Sequence, residues 1–315
     1  MRDYYLGDGR TLVRENVLYT SKLNELVVKG LKIRYPFLKT GSIGRSVMGT
    51  RIPYLVLGKG KTQVLYGASF HANESITTPI LLKFAEEYAK AYRDGGKLYG
   101  ISARELFRSY QLFLVPMVNP DGVDLVNGLL TMGEYYEQAR RIAGDYPQIP
   151  FPAGWKANIE GVDLNLQFPA GWENAQEIKF AQGYTRPAPR DYVGEAPLSA
   201  PESRAVYEFT LRHDLALILA YHTQGRVIYW RYLDYEPENS YRIARYFGAV
   251  SGYEVEETPF ASGFAGYKDW FIQAYDRPGY TIEAGLGENP LPMSDFAQIY
   301  RENVGILLGG MLGVR

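Results

Sequence analysis

A histidine and a glutamate stand three residues apart in the segment His71-Ala-Asn-Glu74, in a chain that has only three histidines. Imidazole and carboxylate are both good zinc ligands, and His222 offers a third ligand from a distant part of the chain. Two histidines and a glutamate with one open position form a catalytic zinc arrangement. The spacing alone also occurs on protein surfaces and at helix caps, and that alternative stays open here. We expect His213 to be a surface residue at a helix end.

These groups need elements that bring them together, and the sequence predicts strands directly before them. Apolar runs at 62–68, 111–118, 215–221 and 279–283 predict four strands. The polar residues at their carboxyl ends are His71, Asn119, His222 and Glu283. In an open α/β sheet, ligands bind at that edge. The sequence therefore predicts a site there.

The other elements are helices around this sheet. Apolar residues at helical spacing predict helices at 20–32, 76–93 and 295–311, and Ser199-Ala-Pro-Glu202 predicts a capping box opening a helix to residue 212. The runs 51–57 and 62–68, separated by Gly-Lys-Gly-Lys, predict an antiparallel pair with a glycine turn. The stretch 128–201 shows little periodicity. We expect an α/β fold in a single domain, 1–315 with its core at 20–312, built on a mixed, mostly parallel sheet with helices on both faces.

Composition excludes several function classes. The 315 residues carry 34 Lys+Arg and 35 Asp+Glu, a net charge of −1, so we expect no nucleic-acid partner and no membrane insertion. The chain has no cysteine, which excludes disulfides, cysteine-bound metals and thiol nucleophiles. Residues 1–10 contain no apolar run typical of a secretory signal, and we therefore expect a cytoplasmic protein. A processed mature form, exported or spore-associated, stays open.

A series of motifs carries a resemblance to a known family. In order they are Ile43-Gly-Arg-Ser46, His71-Ala-Asn-Glu74, Asn119-Pro-Asp-Gly122, Trp155-Lys156, Gly161-Val-Asp-Leu-Asn165, His222 and Tyr280-Thr-Ile-Glu283. The series resembles the zinc metallocarboxypeptidases of the carboxypeptidase A type, and it extends over nearly the whole chain.

The resemblance implies a role for each matching residue. His71, Glu74 and His222 would bind one zinc ion per chain. Glu283 would be the general base, and Lys156, at the position of an arginine that stabilises the oxyanion, would keep that positive charge. Asp163 would hold a ligand imidazole in the required tautomer.

The chain departs from the exopeptidase pattern at the position that grips a terminal carboxylate. The Asn-Arg pair of true carboxypeptidases is Asn165-Leu166 here, and leucine cannot replace a bidentate arginine. Lys268 stands at the specificity-pocket position and would suit a negatively charged side chain, so Asn165 and Lys268 are the expected substrate-binding residues. The family's mobile tyrosine has no clean match, and we expect Tyr267 to pack in the core or at the rim.

Two segments, 165–173 and 282–290, resemble bacterial γ-D-glutamyl-diamino acid endopeptidases. That resemblance implies hydrolysis of the γ-D-glutamyl bond to meso-diaminopimelate or lysine in peptidoglycan stem peptides, with a muropeptide as substrate. Three alternatives remain: an ordinary metallocarboxypeptidase, a zinc acylase of the desuccinylase or aspartoacylase kind, and a zinc-stabilised binding module. The oligomeric state is left open.

Overall fold

The structure is a computed structural model that describes residues 11–314. Residues 1–10, for which we expect no secretory signal, lie outside the described residues. Its strands are β1 (Lys39–Arg45), β2 (Arg51–Gly58), β3 (Thr62–Ala68), β4 (Lys97–Leu98), β5 (Ile101–Ser102), β6 (Tyr110–Val115), β7 (Leu215–His222), β8 (Val227–Tyr229), β9 (Glu254–Glu256) and β10 (Gly279–Glu283). Its α-helices are α1 (Ser21–Arg34), α2 (Thr77–Arg93), α3 (Ala103–Ser109), α4 (Pro120–Val126), α5 (Glu134–Gly144), α6 (Trp172–Ala181), α7 (Pro201–Leu211), α8 (Ser240–Ser251), α9 (Tyr267–Tyr275) and α10 (Phe296–Leu312).

Eight strands form one mixed sheet in the order β1-β2-β6-β3-β7-β10-β8-β9. The central strands β6, β3, β7 and β10 are parallel, and β1 and β2 add antiparallel pairs at one edge. The predicted mixed, mostly parallel sheet is confirmed. The carboxyl ends of its four parallel strands lie at one edge, as the site prediction requires.

Strand β7 explains why both faces of the sheet are covered. Its residues Leu217 and Leu219 belong to one hydrophobic core with α1, α2, α8 and α10, whereas Ile218 and Ala220 belong to a second core with α7 and α9. Successive side chains of a strand point to opposite faces, so a continuous apolar run is what a strand between two helical layers needs.

The predicted antiparallel pair of β2 and β3 is wrong, because β6 lies between them. Strand β2 pairs with β6 antiparallel, and β3 pairs with β6 parallel. The glycines between β2 and β3 allow the connecting backbone to pass close to the start of β6. A Cβ on Gly58 would lie 2.1 Å from the carbonyl oxygen of Tyr110, and the amide of Gly60 donates to the same carbonyl at 3.0 Å. The connection thus crosses over the start of β6.

The four predicted helices are confirmed as α1, α2, α7 and α10. The predicted cap of α7 and the description of residues 128–201 need correction. Helix α7 begins after Ala200 without a side-chain cap, so the predicted capping box is wrong. Ser199 instead donates to Gln167, and the carboxylate of Glu202 accepts from the amide of Val47 and from Asn158. The aperiodic stretch 128–201 contains α5 and α6. No helix within residues 11–314 has both the length and the apolar character that a membrane span needs.

Candidate metal centre

Two of the predicted ligands follow β3 on a short 3-10 turn. The chain leaves the strand through Ser69, whose φ is 49°, and the turn Ala72–Glu74 places His71 and Glu74 side by side. Asn119, at the end of the neighbouring segment, donates from Nδ2 to the carbonyl of Phe70 at 3.2 Å and to that of Ala157 at 3.0 Å. Asn119 therefore fixes the backbone beside the site, and its own side chain is fully buried.

The three predicted ligands converge. His71 Nδ1 lies 2.9 Å from Glu74 Oε1, His222 Nδ1 lies 3.0 Å from Glu74 Oε2, and the two Nδ1 atoms are 3.1 Å apart. All three side chains are buried. Two imidazole nitrogens and a carboxylate that face one another in a buried site need a proton or a cation between them.

This arrangement fits a zinc ion. Zinc bonds of 2.0–2.1 Å at tetrahedral angles would place the ligand atoms about 3.3 Å apart, close to the separations seen. Among residues 11–314, one group of three side chains could hold a metal ion. It consists of His71, Glu74 and His222, whose possible ligand atoms all lie within 4.8 Å of one another. The outer Nε2 of His222 is buried and has no hydrogen-bond partner among residues 11–314, whereas its Nδ1 faces the other two ligands.

Asp163 orients the first histidine. Its Oδ1 lies 3.0 Å from His71 Nε2, and its Oδ2 accepts from the backbone amide of Asp191 at 3.2 Å. Burial alone would raise the pKa of Asp163, but His71 and Lys156 hold it well below the usual range. The carboxylate is therefore ionised and keeps the Nδ1 atom of His71 turned toward the other ligands.

Glu283 and Lys156 are the charged groups around the three ligands. Glu283 is the last residue of β10 and is paired in register with His222. Burial and the carboxylate of Glu74 raise the pKa of Glu283 to about 8. The ammonium of Lys156 lies 3.4 Å from Glu74 Oε1. A divalent cation on the three ligands would favour the ionised form of Glu283, the form that accepts a proton.

The site opens into a cavity of about 700 Å³. Its lining includes His71, Lys156, Asp163 and Glu283, and the expected substrate-binding residues Asn165 and Lys268. Leu166 also lines the cavity, so an apolar side chain occupies the wall beside Asn165. A cavity of this size is large enough for several residues of a peptide.

Lys268 lies in the cavity wall but is almost fully buried, at 3% exposure. Its ammonium contacts the carbonyl of Arg231 at 2.7 Å, Thr258 Oγ1 at 3.1 Å and Asp269 Oδ1 at 2.5 Å. All three donors thus have protein partners. The specificity role of Lys268 stays a prediction.

Two sequence-based expectations concern residues outside the site. Tyr267 is fully buried and bonds Thr210 through its hydroxyl, as expected for a core residue. His213 contacts the carbonyl of Phe209 and packs against two phenylalanine rings, away from the ligands. Sequence reasoning missed the cavity residues Lys179, Arg190 and Asp191, which come from the stretch without periodicity.

Comparisons with known proteins agree with this geometry. The sequence profile described as zinc carboxypeptidase matches residues 25–305. The γ-D-glutamyl-L-diamino acid endopeptidase 1 of Lysinibacillus sphaericus is 46% identical over 298 residues, which cover 95% of this chain and 73% of that protein. The uncharacterised protein YqgT of Bacillus subtilis is 41% identical over 94% of this chain and 77% of its own length.

A solved structure with the same fold is the carboxypeptidase A of Helicoverpa armigera. It superposes with a TM-score of 0.70 at 20% identity, over 99% of this chain and 79% of that one. The buried His71, Glu74 and His222 cluster and the profile match over most of the chain lead to one conclusion: this protein belongs to the zinc carboxypeptidase family.

Proposed function

We propose that this protein is a zinc endopeptidase that hydrolyses the γ-D-glutamyl bond to meso-diaminopimelate or lysine in peptidoglycan stem peptides. The observation that carries the proposal is Leu166 in the cavity wall, where an exopeptidase would need a cation to grip a terminal carboxylate. The 46% identity to a protein named γ-D-glutamyl-L-diamino acid endopeptidase 1 supports the same substrate class.

The cofactor is one zinc ion per chain, held by His71, Glu74 and His222. Bound zinc would make a water molecule acidic enough to serve as a nucleophile near neutral pH and would polarise the scissile carbonyl. Asp163 keeps the imidazole of His71 oriented.

The other residues of the site transfer the proton, stabilise the developing negative charge and bind the substrate. Glu283 accepts the proton of the attacking water and then delivers it to the leaving nitrogen, from a position beside His222 in the cavity lining. Lys156, with its ammonium at the edge of the ligand cluster, stabilises the negative charge that develops on the carbonyl oxygen. Asn165 and Lys268 line the cavity wall where the substrate would bind, and Lys268 contacts it by exchanging one of its three protein partners for a substrate carboxylate.

The proposal is tested with L-Ala-γ-D-Glu-meso-diaminopimelate that carries either a free or an amidated C-terminal carboxyl group. Because no arginine stands at position 166, we expect kcat/KM to change little on amidation. An ordinary carboxypeptidase assayed in parallel on its own free and amidated substrates should lose most of its activity. A loss of the same size in this protein would favour the metallocarboxypeptidase alternative.

A further inference from the structure

Arg190 is a cavity residue to which neither the motifs nor the family pattern assign a role. It belongs to a cluster with Lys179 and Asp191 on the cavity wall. Asp191 lies 2.6 Å from the ammonium of Lys179 and 2.6 Å from Nε of Arg190. One carboxylate thus holds two cations, and the cluster carries one positive charge in excess.

The excess charge is on Arg190, the member of the cluster that solvent reaches. Its side chain is 44% exposed, against 9% for Lys179 and 13% for Asp191. Its Nε is used by Asp191, whereas Nη1 and Nη2 have no hydrogen-bond partner within residues 11–314. The planar end of the guanidinium therefore keeps the paired donors that match a carboxylate.

The backbone fixes Arg190 relative to the reacting groups. The carbonyl of Pro189 accepts from the amides of Lys156 at 2.7 Å and Ala157 at 2.9 Å, and the amide of Asp191 donates to Asp163. Asp191 adopts a φ of 66°, a conformation that an aspartate tolerates when its surroundings hold it. Arg190 thus stands on a segment tied on both sides to residues of the metal centre.

Arg190 shares the cavity wall with Lys156, whose backbone amide donates to the carbonyl of Pro189, the residue before Arg190. Two like charges at one cavity wall repel each other until an anion binds between or beside them. Lys268 and Lys179, the other lysines of this wall, already have carboxylate partners.

We propose that Arg190 binds the α-carboxylate of the γ-linked D-glutamyl residue, on the acyl side of the scissile bond. This inference rests on the proposed function. In a γ-linked residue the α-carboxylate lies at most about 5 Å, four bonds, from the scissile carbonyl carbon. Arg190 lines the same cavity as Lys156, which would face the carbonyl oxygen, so its guanidinium is placed to bind a carboxylate of the same residue. A residue with a neutral side chain in an ordinary α-linked peptide has no carboxylate there, so Arg190 selects for an acyl residue that carries a free carboxylate four bonds from the scissile carbonyl carbon.

The test compares two substrates that differ in one group: L-Ala-γ-D-Glu-meso-diaminopimelate and its analogue with the D-glutamyl α-carboxylate converted to a carboxamide. The zinc-loaded wild-type protein should prefer the carboxylate. Arg190→Gln should lower kcat/KM for the carboxylate substrate by about 10–100-fold, the value of a hydrogen-bonded charge pair, and change the carboxamide little. Arg190→Lys should recover part of the loss.

Arg186→Gln is the matched control, because Arg186 is an exposed arginine on the same segment that pairs with Asp145. It should leave both substrates unchanged, and melting temperatures and zinc contents should match the wild type. An equal loss of both substrates in Arg190→Gln, or no loss, would overturn the Arg190 assignment while leaving the proposed function intact. If the wild-type protein cleaved neither γ-linked substrate, the proposed function itself would be wrong. If Arg190→Gln failed to fold, Arg190→Lys would decide the matter: a loss confined to the carboxylate substrate would support the assignment, and an equal effect on both substrates would overturn it.

Discussion

The contacts of the two site histidines determine which ring nitrogen each one directs at the metal position. His71 uses both ring nitrogens: Nδ1 faces Glu74 and His222, and Nε2 contacts Asp163. His222 uses Nδ1, and its Nε2 is buried without a hydrogen-bond partner in the described part of the chain. Each imidazole therefore presents its Nδ1 atom to the centre of the cluster, where a shared metal ion would bind.

Removing either histidine should remove the metal. We expect His71→Ala and His222→Ala to lose zinc, because two remaining ligands bind zinc far more weakly than three. His213→Ala is the matched control, since His213 lies outside the site. Elemental analysis of the purified proteins checks this, and full zinc in both site variants would refute the ligand assignment.

Glu283 should be needed for turnover and not for metal binding. Glu283→Gln keeps the shape of the side chain but cannot accept a proton, so kcat should fall by about 10²–10⁴-fold at unchanged zinc content. Glu288→Gln, at an exposed residue of the same cavity, should retain activity. A Glu283→Gln enzyme with the wild-type rate would show that another residue is the base.

Lys268 should affect both stability and substrate choice. Lys268→Ala leaves Asp269 buried without its cation, at a cost of about 3–5 kcal/mol in the free energy of unfolding. Cleavage of the diaminopimelate substrate should fall about 10–150-fold more than that of a neutral analogue. Assays at a temperature where the variant stays folded separate the two effects. Equal losses on both substrates would leave Lys268 a purely structural residue.

At the residue scale, the sequence predicts the ligands and not the cavity wall. The three ligands have a recognisable spacing and stand at strand ends, so chemistry and periodicity identify them together. Arg190 has neither signal, because it lies in a stretch without periodicity and its position depends on the contacts of Pro189 and Asp191.

At the scale of elements, local patterns predict where strands lie and fail to predict how they pair. The runs of β2 and β3 are separated by a short glycine-containing loop, the usual mark of a hairpin. Pairing with β6 forms instead, because all three strands then bury apolar residues in the same sheet. Ser199, just before α7, and Glu202, in its first turn, likewise have long-range partners that compete with a local cap.

The crossing of this loop over β6 has a consequence for stability. Gly58 has a φ of 96°, and a Cβ there would meet the carbonyl of Tyr110. We expect Gly58→Ala to lower the free energy of unfolding by more than about 3 kcal/mol. Gly49→Ala, at a φ of 80° with open space around it, should cost only about 1–2 kcal/mol. Urea unfolding of both variants checks the difference, and equal effects would show that backbone strain alone matters.

At the scale of the molecule, Glu202 joins three parts of the fold. From α7 it accepts hydrogen bonds from Val47, after β1, and from Asn158, near the site. Burial raises its pKa to about 7. The unfolded chain therefore loses this proton at lower pH than the folded protein, and Glu202 lowers stability as the pH rises from about 4.5 to 7.

Glu202→Gln should remove this pH dependence. Between pH 5 and pH 8 the free energy of unfolding of the variant, relative to wild type, should rise by about 2–3 kcal/mol. Glu208→Gln, an exposed glutamate on the same helix, should give a flat difference. The comparison of unfolding curves at the two pH values checks this, and a flat difference for Glu202→Gln would mean that the carboxyl is ionised in both states.

The whole-molecule architecture explains why a sequence can locate this site. Parallel strands with carboxyl ends at one edge bring together His71, His222 and Glu283, which are far apart in the chain. That convergence follows from topology and needs no detailed packing. The shape and charge of the cavity depend on irregular segments such as residues 128–201, which carry no periodic signal in the sequence.

The products formed from L-Ala-γ-D-Glu-meso-diaminopimelyl-D-Ala test the central claim most directly. The zinc-loaded protein should release L-Ala-D-Glu and diaminopimelyl-D-Ala, identified by mass spectrometry, and Glu283→Gln should release neither at a comparable rate. Release of free D-Ala with an intact γ-D-glutamyl tripeptide would contradict the account and identify the protein as a carboxypeptidase.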